Sequence, residues 1–395
     1  MARSGNSNLH DSSRNKQDEF YTNLQLIEDE LKHYRAHFAG KRVLCNCDDP
    51  YESNFFKYFA MNFNALGLKS LTATCYAASP FAQLELDLFG EESSLTGLTR
   101  FTGCDVRGGC LSRPNDAERN NRSHPNPDNP VNPVRSKIPY KIVINEVTDV
   151  NGDGRIDLAD VEWLIKNKKN VLTKLKGDGD FRSAECVALL DEADVVVTNP
   201  PFSLFREYMA LLMEHQKQFL IVGNMNAVTY REIFPLIRDN KVWLGNKAGH
   251  FWFKVPQHYE EKATDFKIDE NGQKWRRMGN ICWFTNLDFP KRHEKMLLWK
   301  KYTPEAYPKY DNYDAIEVSK TDDIPCDWNG AIGVPITFIY KHNPDQFDII
   351  GATESEGVGF SAGLWDASSE VAQPLIGGTR KYKRIFIRRK ECAKG

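Results

Sequence analysis

The sequence has no run of about eighteen consecutive apolar residues, the length that a membrane-spanning helix needs. Its first residues, MARSGNSNLHDSSRNKQ, are polar and include no apolar segment of the kind that directs secretion. The formal net charge is only −2 over 395 residues, so there is no overall attraction to nucleic acid. These absences predict a cytoplasmic protein that neither enters a membrane nor is exported.

Paired CxxC units are also missing. The nine cysteines are scattered along the chain, at Cys45, Cys47, Cys75, Cys104, Cys110, Cys186, Cys282, Cys326 and Cys392. Several lie inside apolar, strand-like runs, where a thiol behaves as a small apolar side chain. A structural zinc site is therefore disfavoured, and reduced thiols in a cytosol fit best.

Apolar segments alternate between two periodicities in the first 240 residues. Strand-like runs are predicted at 42–48, 71–76, 141–147, 194–200 and 219–224, and helices at 24–38, 53–67 and 203–215. Strands that alternate with helices are typical of a parallel sheet covered by helices. The pattern predicts an α/β protein.

Two stretches depart from this alternation. Residues 112–138 are rich in Pro, Asn, Arg and Asp, which predicts a mobile loop inside an insertion at 85–176. Beyond residue 240 the chain has short aromatic strands, VWLG, HFWFKV and ICWFTNL, separated by polar turns. We therefore expect one domain at 1–240 and a β-rich region at 241–395.

The tetrapeptide Asn199-Pro200-Pro201-Phe202 follows directly on the apolar run DVVVT. Open α/β sheets bind their ligands at the carboxyl ends of strands, so a site is expected at this position. Two consecutive prolines fix the backbone and remove two N–H donors, which leaves carbonyl oxygens beside the Asn199 side chain. The pattern predicts a rigid set of hydrogen-bond acceptors.

Such acceptors suit the methylation of an exocyclic amine on an aromatic ring, a poor nucleophile because its lone pair is delocalised. If the Asn199 side-chain oxygen and the Pro200 carbonyl each accept one N–H, the nitrogen is held towards tetrahedral geometry and faces a methyl donor. Phe202 provides a face on which a base rotated out of a duplex can stack. The plainer interpretation is a strand-to-helix turn with Phe202 in the core.

Longer blocks make the sequence similar to the EcoRI-type adenine-N6 DNA methyltransferases, which use S-adenosylmethionine. The blocks occur in the family's order and cover most of the chain apart from roughly residues 85–165. They are DEFYT (18–22), CNCDDP (45–50), SNFFKYFA (53–60), GDGDFRS (177–183), DVVVTNPPFSLFREY (194–208), YPKYDNYDAI (307–316) and GVPITF (333–338). The resemblance implies a Rossmann-like class I methyltransferase sheet, with a catalytic domain at 1–240 and target recognition at 241–395.

The resemblance also implies a function. The chain is expected to transfer a methyl group from S-adenosylmethionine to a flipped-out adenine at a specific site in double-stranded DNA. It would belong to a restriction-modification system, with a cognate restriction endonuclease that shares its target site, or act as an orphan modifier. A monomer is expected.

The residues that the resemblance places around the cofactor are Phe20, Tyr21, Thr22, Cys47, Asp48, Asp49, Asp180 and Phe181. The first three border its methionine part, the next three follow the first strand, and the last two contact its adenine ring. Each of these positions also suits an ordinary structural role as core aromatic, buried thiol or helix N-cap. The turn CNCDDP has no glycine, and no acidic residue ends the second strand, so ribose binding is unassigned, with Tyr76 as a candidate neighbour.

Residues 149–160, DVNGDGRIDLAD, match an EF-hand calcium loop almost completely. The predicted ligands are Asp149, Asn151, Asp153, the backbone carbonyl of Arg155, Asp157 and Asp160. Gly154 permits the sharp turn, and 161–175 is predicted to form the exiting helix. Asp160 replaces the usual glutamate, so a structural calcium ion of low affinity is expected, with an ion-free turn as the alternative.

Two other function classes fit parts of the sequence. An NPP-type site can also methylate RNA or a protein glutamine, and the calcium-like loop is compatible with a calcium-binding interaction module. The aromatic and basic region beyond 240 favours a nucleic acid. Candidate phosphate or guanine contacts there are Arg276, Arg277, Lys291, Arg292 and a terminal cluster of Arg380, Lys381, Lys383, Arg384, Arg388, Arg389, Lys390 and Lys394.

Overall fold

The computed structural model of the chain describes residues 22–47, 53–75, 139–167, 172–255, 257, 259–353 and 373–390. Its centre is a nine-stranded sheet. The strands are β1 (Arg42–Cys45), β2 (Ser70–Thr74), β3 (Tyr140–Ile144), β4 (Leu172–Lys174), β5 (Val195–Thr198), β6 (Gln218–Asn224), β7 (Trp243–Lys254), β8 (Phe266–Ile268) and β9 (Lys274–Thr285). Their order is β4-β3-β2-β1-β5-β6-β9-β7, and β8 pairs with β9.

The four middle strands, β2-β1-β5-β6, are parallel. All four residues of β5 are buried, as in a strand covered on both faces. The prediction of an α/β protein with a parallel centre is confirmed. The outer strands differ, because β3, β4, β7, β8 and β9 all pair antiparallel to their neighbours.

The described helices are α1 (Leu24–Leu31), α2 (Asn54–Met61), α3 (Phe63–Leu66), α4 (Leu158–Asn167), α5 (Ala184–Glu192), α6 (Phe205–Glu214) and α7 (Phe234–Arg238). Ser53 caps α2, since its hydroxyl oxygen accepts the N–H groups of Phe55 and Phe56 at 3.1 and 3.3 Å. Gly67, with φ 62°, ends α3 in the left-handed conformation that favours glycine. In the part of the chain described, no helix is long and apolar enough to cross a membrane.

The helix predicted for 161–175 is wrong at 172–174, which form a strand. The polar run KNKKN ends the helical spacing of apolar residues, and the short segment Leu172–Lys174 pairs with β3 as strand β4 instead. The stretch predicted as an insertion, 85–176, therefore contributes β3 and β4 to the central sheet.

A second sheet lies in the last third of the chain. Its strands are β10 (Ile316–Glu317), β11 (Ile332–Pro335), β12 (Phe347–Ala352) and β15 (Arg384–Arg389), in the order β10-β11-β15-β12, and β13 (Leu375–Ile376) pairs with β14 (Thr379–Arg380) as a separate hairpin. One apolar cluster joins this sheet to the central one, with Leu44 and Val196 on one side and Ile332 and Ile387 on the other. The predicted boundary at residue 240 thus falls inside a continuous sheet and core, since β9 also pairs with β6.

Candidate active site

Asn199-Pro200-Pro201-Phe202 lies at the carboxyl end of β5, in the middle of the parallel strands. The chain runs from β1 outward to β2, and β5 lies on the other side of β1, so strand order reverses between β1 and β5. Ligands of open α/β sheets bind at this switch point, outside the carboxyl ends of the strands. We call the side of the sheet where β1, β5 and β6 end the carboxyl edge.

The turn itself is built as the sequence predicts. Pro200 is buried, whereas Asn199, Pro201 and Phe202 are partly exposed. The Pro201 carbonyl accepts the N–H of Leu204 at 3.0 Å and begins a single turn of 3₁₀ helix that leads into α6. Among the described residues no N–H donates to the Pro200 carbonyl.

Asn199 and Phe202 are both partly exposed at the end of β5. The Asn199 Oδ1 atom has no surface exposed to solvent, while the residue as a whole keeps partial exposure. Phe202 packs with one side against the core cluster that includes Val195 and Val197. A ring that is neither fully buried nor fully exposed suits both predicted interpretations, a stacking face and a core side chain.

Sequence reasoning missed Asn46, which joins the ends of β1 and β5. Its carbonyl oxygen accepts the hydroxyl of Thr198, and its Oδ1 accepts the phenol hydroxyl of Tyr208 on α6. Asn46 is only 1% exposed. The one signal in the sequence is a polar residue between two cysteines at the end of an apolar strand.

Two buried polar atoms beside this junction have no hydrogen-bond partner in the described part of the chain: Thr22 Oγ1 and Asn46 Nδ2. The Thr22 carbonyl accepts Asn54 Nδ2 at 2.8 Å, which places Thr22 at the start of α2. Buried polar groups are nearly always paired in proteins, so an acceptor and a donor left open at one edge indicate a polar ligand. An amino-acid group, with its ammonium and carboxylate, offers the complementary pair.

Cys47 follows Asn46 with φ 65°. A side chain in this left-handed region costs of order 1 kcal/mol, and such strain concentrates at functional sites. The turn after β1 therefore has the conformation that a glycine usually supplies, although no glycine is present. Cys47 is partly buried and packs against the core cluster that contains Leu44.

Comparison with known proteins matches residues 8–390 to the family described as adenine-specific methyltransferase EcoRI. The chain belongs to this family. It is 40% identical to the type II methyltransferase M.EcoRI of Escherichia coli over the full length of both chains. It is 31% identical to M.MgeORF184P of Mycoplasma genitalium and to M.MpnI of Mycoplasma pneumoniae, over 95% of this chain and 96% of each relative. No solved structure gives a significant match.

Asp180 and Phe181 are the residues predicted to contact the adenine ring of the cofactor. Phe181 is buried and packs edge-on against Tyr208, with 5.0 Å between ring centroids, so it reaches the Asn46 junction. The Asp180 carboxylate is held by two bonds from Arg182, at 2.9 and 2.7 Å, and Arg182 also donates to Glu207 at 2.6 Å. The hydrogen bonds from Arg182 lower the pKa of Asp180, which keeps it ionised.

Five of the predicted cofactor residues lie outside the described residues, namely Phe20, Tyr21, Asp48, Asp49 and Tyr76, and so do the predicted loop at 112–138 and Lys394. Thr22, Cys47 and Phe181 are brought to the carboxyl edge by β1, α2 and α6. Their contacts with a cofactor stay predictions.

The EF-hand-like loop at 149–160 is closed by its own hydrogen bonds. Asp149 accepts two glycine N–H groups at 2.7 Å, and Asp160 accepts the N–H groups of Val150 and Asp157 at 2.8 and 2.9 Å. The other predicted ligands, Asn151, Asp153, Arg155 and Asp157, are exposed. Over the described ranges, no group of three or more His, Cys, Asp or Glu residues is placed to hold a metal ion.

Several basic residues that were candidates for DNA contact have structural partners. Arg384 makes two hydrogen bonds to Glu317, at 3.0 and 2.7 Å, in a buried ion pair between β15 and β10. Lys383 is buried and donates to Thr229 at 3.0 Å. Arg292, with 8% of its side chain exposed, lies 3.7 Å from the centre of the Trp243 ring. The guanidinium of Arg292 is thus at the start of β7, opposite the carboxyl edge.

Proposed function

We propose that the chain is a site-specific DNA methyltransferase that transfers a methyl group to the N6 atom of an adenine flipped out of double-stranded DNA. The observation that carries this proposal is the NPPF turn at the switch point of the parallel strands, in a chain that belongs to the adenine-specific methyltransferases. We assign the fold to the Rossmann-like class I methyltransferases, which the order β2-β1-β5-β6 of the parallel strands supports.

The methyl donor of this family is S-adenosylmethionine, which supplies, when bound, an electrophilic methyl group on a sulfonium sulfur. The residues present fit it. Thr22 Oγ1 can accept from its ammonium group, and Asn46 Nδ2 can donate to its carboxylate. Both atoms are buried and have no hydrogen-bond partner among the described residues. We assign Phe181 and Asp180 to its adenine ring.

The NPPF residues prepare the amine for reaction. Asn199 Oδ1 and the Pro200 carbonyl each accept one N–H of the adenine amine, which directs the nitrogen lone pair out of the plane of the base. Neither group is a base, so the two residues position the amine without removing a proton from it. Phe202 stacks on the flipped ring and holds its plane, and the two prolines keep the acceptors fixed.

The named relatives are type II methyltransferases, and we propose that this chain is of the same type. It then protects DNA from a restriction endonuclease that shares its target site. One chain contains one NPPF turn, so a monomer can modify one adenine at a time, and no second subunit is needed to complete the site.

The test is transfer of labelled methyl from S-adenosylmethionine to a pool of unmethylated DNA fragments, with the product located by modification-sensitive sequencing. We expect N6-methyladenine at one short motif only. Label on RNA or on a protein glutamine, with no label on DNA, would replace the proposal by one of the two related substrates. If DNA, RNA and protein all stay unlabelled, the proposed function is rejected.

The calcium-like loop stays a prediction beside this function. Methyl transfer needs no metal, so we expect calcium bound at 149–160 to affect stability more than chemistry. A rise in melting temperature with calcium that Asp153→Asn abolishes, at unchanged methylation rate, would support the site. An identical melting temperature in calcium and in chelator would remove it.

A further inference from the structure

Strands β7 and β9 extend well past the carboxyl edge of the central sheet. β6 ends at Asn224, which pairs with Ile281 of β9. Because β9 runs antiparallel to β6, its residues 274–280 lie beyond that end, paired with β7 and β8. Seven residues of strand span roughly 20 Å. The three strands form a ribbon on the same side of the sheet as the NPPF turn.

The ribbon has two different faces. Successive residues of a strand point to opposite faces, and directly paired residues share one. On the inner face, Phe251 and Phe253 are 7% and 0% exposed and belong to the apolar cluster that includes Val195 and Val197. Arg276, paired with Phe253, donates to the backbone carbonyls of Thr264 and Asp265 and so fastens the turn before β8. This face is occupied by the protein itself.

The outer face has alternating rings and cations. Trp252 pairs with Arg277 across the strands, and Trp275 pairs with Lys267. The ammonium of Lys267 lies 4.7 Å from the centre of the Trp252 ring and 5.8 Å from that of Trp275, and the Arg277 guanidinium lies 5.9 Å from Trp252. Both cations are exposed.

The cations of this face differ in their partners. Arg277 forms an ion pair with Asp265 at 2.6 Å. For Lys267, no carboxylate within the described chain lies at ion-pair distance. The two indole rings limit the freedom of its side chain, which lowers the entropy lost when the ammonium binds an anion.

We propose that the outer face of this ribbon binds the duplex beside the flipped adenine, with Lys267 and Arg277 on DNA phosphates. The inference rests on the proposed function. The ribbon lies on the same side of the sheet as the NPPF turn, where the target base enters. The net charge of the whole chain is close to neutral, so the chain as a whole does not attract DNA. The cations of Lys267 and Arg277, held beside indole rings, instead attract phosphate locally at the outer face.

The experiment measures DNA affinity at several salt concentrations for Lys267→Gln and Arg277→Gln. The probes are a short duplex with the motif that the wild-type enzyme methylates and a duplex of scrambled sequence. We expect each variant to weaken binding of both duplexes by roughly tenfold and to reduce the salt slope by about 0.9, the value for one lost phosphate contact. Affinity for S-adenosylmethionine is expected to stay at the wild-type value.

Asp265→Asn separates DNA contact from a structural ion pair. If Arg277 binds phosphate, removal of its acidic partner strengthens DNA binding, whereas Arg277→Gln weakens it. If Arg277 serves only the ion pair, the two variants change stability alike and leave DNA affinity unchanged, which overturns the proposal. Lys69→Gln, an exposed lysine just before β2 at the opposite edge, is the matched charge control.

Failure of the ribbon to bind DNA and failure of the chain to methylate DNA give different results. Wild-type methylation of one motif together with unchanged DNA binding by Lys267→Gln and Arg277→Gln would reject the ribbon and keep the enzyme. A wild-type chain that methylates no DNA would reject the proposed function itself.

Discussion

At the residue scale, the site depends on a few polar groups that link strands far apart in the sequence. In the proposed mechanism, the Asn199 side chain and the Pro200 carbonyl both touch the reacting amine. We expect Asn199→Ala to lower the rate of methyl transfer at saturating substrates by at least about 100-fold, the usual effect of removing one preorganised polar group from a transition state. Cofactor and DNA binding should survive, because the turn is held by Pro200 and Pro201.

Single-turnover methylation and cofactor titration check this expectation. The control is Asn64→Ala, an amide on α3 that donates to the Val147 carbonyl at 3.0 Å and lies away from the carboxyl edge. Near-normal turnover of Asn199→Ala would exclude the assigned role of the Asn199 amide.

Tyr208 acts through Asn46, so it is a positioning residue. Tyr208→Phe leaves the buried Asn46 Oδ1 without its donor, which should reduce the free energy of unfolding by about 1–3 kcal/mol. The Asn46 amide then loses its fixed orientation, and we expect the Kd for S-adenosylmethionine to rise roughly tenfold, the equivalent of one hydrogen bond. The turnover rate at saturating cofactor should change little.

Tyr34→Phe is the matched control for Tyr208→Phe. Tyr34 is also fully buried, and its hydroxyl donates to Glu30 at 3.0 Å, away from the cofactor residues. Both variants should lose stability to a similar extent, but only Tyr208→Phe should weaken cofactor binding in calorimetry. Equal cofactor affinity in the two variants would make Tyr208 a purely structural residue.

Among the elements, helix α1 is bonded to strand β7 through the buried carboxylate of Glu30. Glu30 accepts the N–H groups of Asn246 and Lys247 at 2.6 and 2.8 Å, where β7 shifts its register against β9. Burial raises the pKa of Glu30 to about 7, against the hydrogen bonds from Asn246, Tyr34 and Lys247 and the charge of Lys291, which all lower it.

The sign of the pH effect follows from this raised pKa. The folded protein holds a proton on Glu30 more tightly than the unfolded chain, so its contribution to stability is present below pH 4.5 and is lost as the pH rises to about 7. Urea unfolding across this window should show stability that falls with pH. Glu30→Gln should flatten the fall, whereas Glu28→Gln, an exposed residue of the same helix, should not. A slope that persists in Glu30→Gln would contradict the assignment.

Elements with a strong local pattern could be predicted from the sequence. The buried runs around Val43, Val196 and Leu220 became the parallel strands β1, β5 and β6, and Asn199-Pro200-Pro201-Phe202 lies at a strand end as expected. Antiparallel pairing of β9 with β6 could not be predicted, because it depends on long-range register rather than on local periodicity. The Asn46 junction was missed for the same reason, since Tyr208 is 162 residues away in the chain.

The basic cluster at the end of the chain shows why charge alone misleads at this scale. Arg384 begins β15 and Lys383 precedes it, and their charged groups bond to Glu317 and Thr229 inside the protein. Burial raises the pKa of Glu317, but the bonds from Arg384 and Tyr310 outweigh it and the net shift is downward. A sequence shows the number of charges in a segment, whereas the strand's two faces decide which of them reach DNA.

In the whole molecule, the two predicted regions, 1–240 and 241–395, share an apolar cluster. The cluster that contains Leu44 and Val196 behind the site also contains Ile332 and Ile387 of the second sheet, and β9 completes the sheet that β5 begins. A DNA contact on the ribbon is therefore connected to the NPPF turn through continuous packing. The proposed recognition surface and the catalytic turn should keep a fixed spacing along the duplex.

This shared core leads to a prediction about unfolding. Two independent domains at 1–240 and 241–395 would unfold in two steps, and a cofactor bound at β1 and β5 would stabilise only the first. A continuous sheet and core instead predict one cooperative transition, seen at the same urea concentration by circular dichroism and by tryptophan fluorescence. Seven of the eight tryptophans lie beyond residue 240 and Trp163 lies before it, so fluorescence reports mainly on the second half.

S-adenosylmethionine at about 100 times its Kd should raise the free energy of unfolding by about 2.7 kcal/mol, since it binds only the folded chain. In a single cooperative unit, this increase moves the fluorescence transition of the second half together with the dichroism transition, although the cofactor touches neither β12 nor β15. Asn199→Ala should show the same shift, because its cofactor residues are intact. A fluorescence transition that does not respond to the cofactor would mean that 241–395 unfolds on its own, and the fixed spacing between ribbon and catalytic turn would then lose its physical basis.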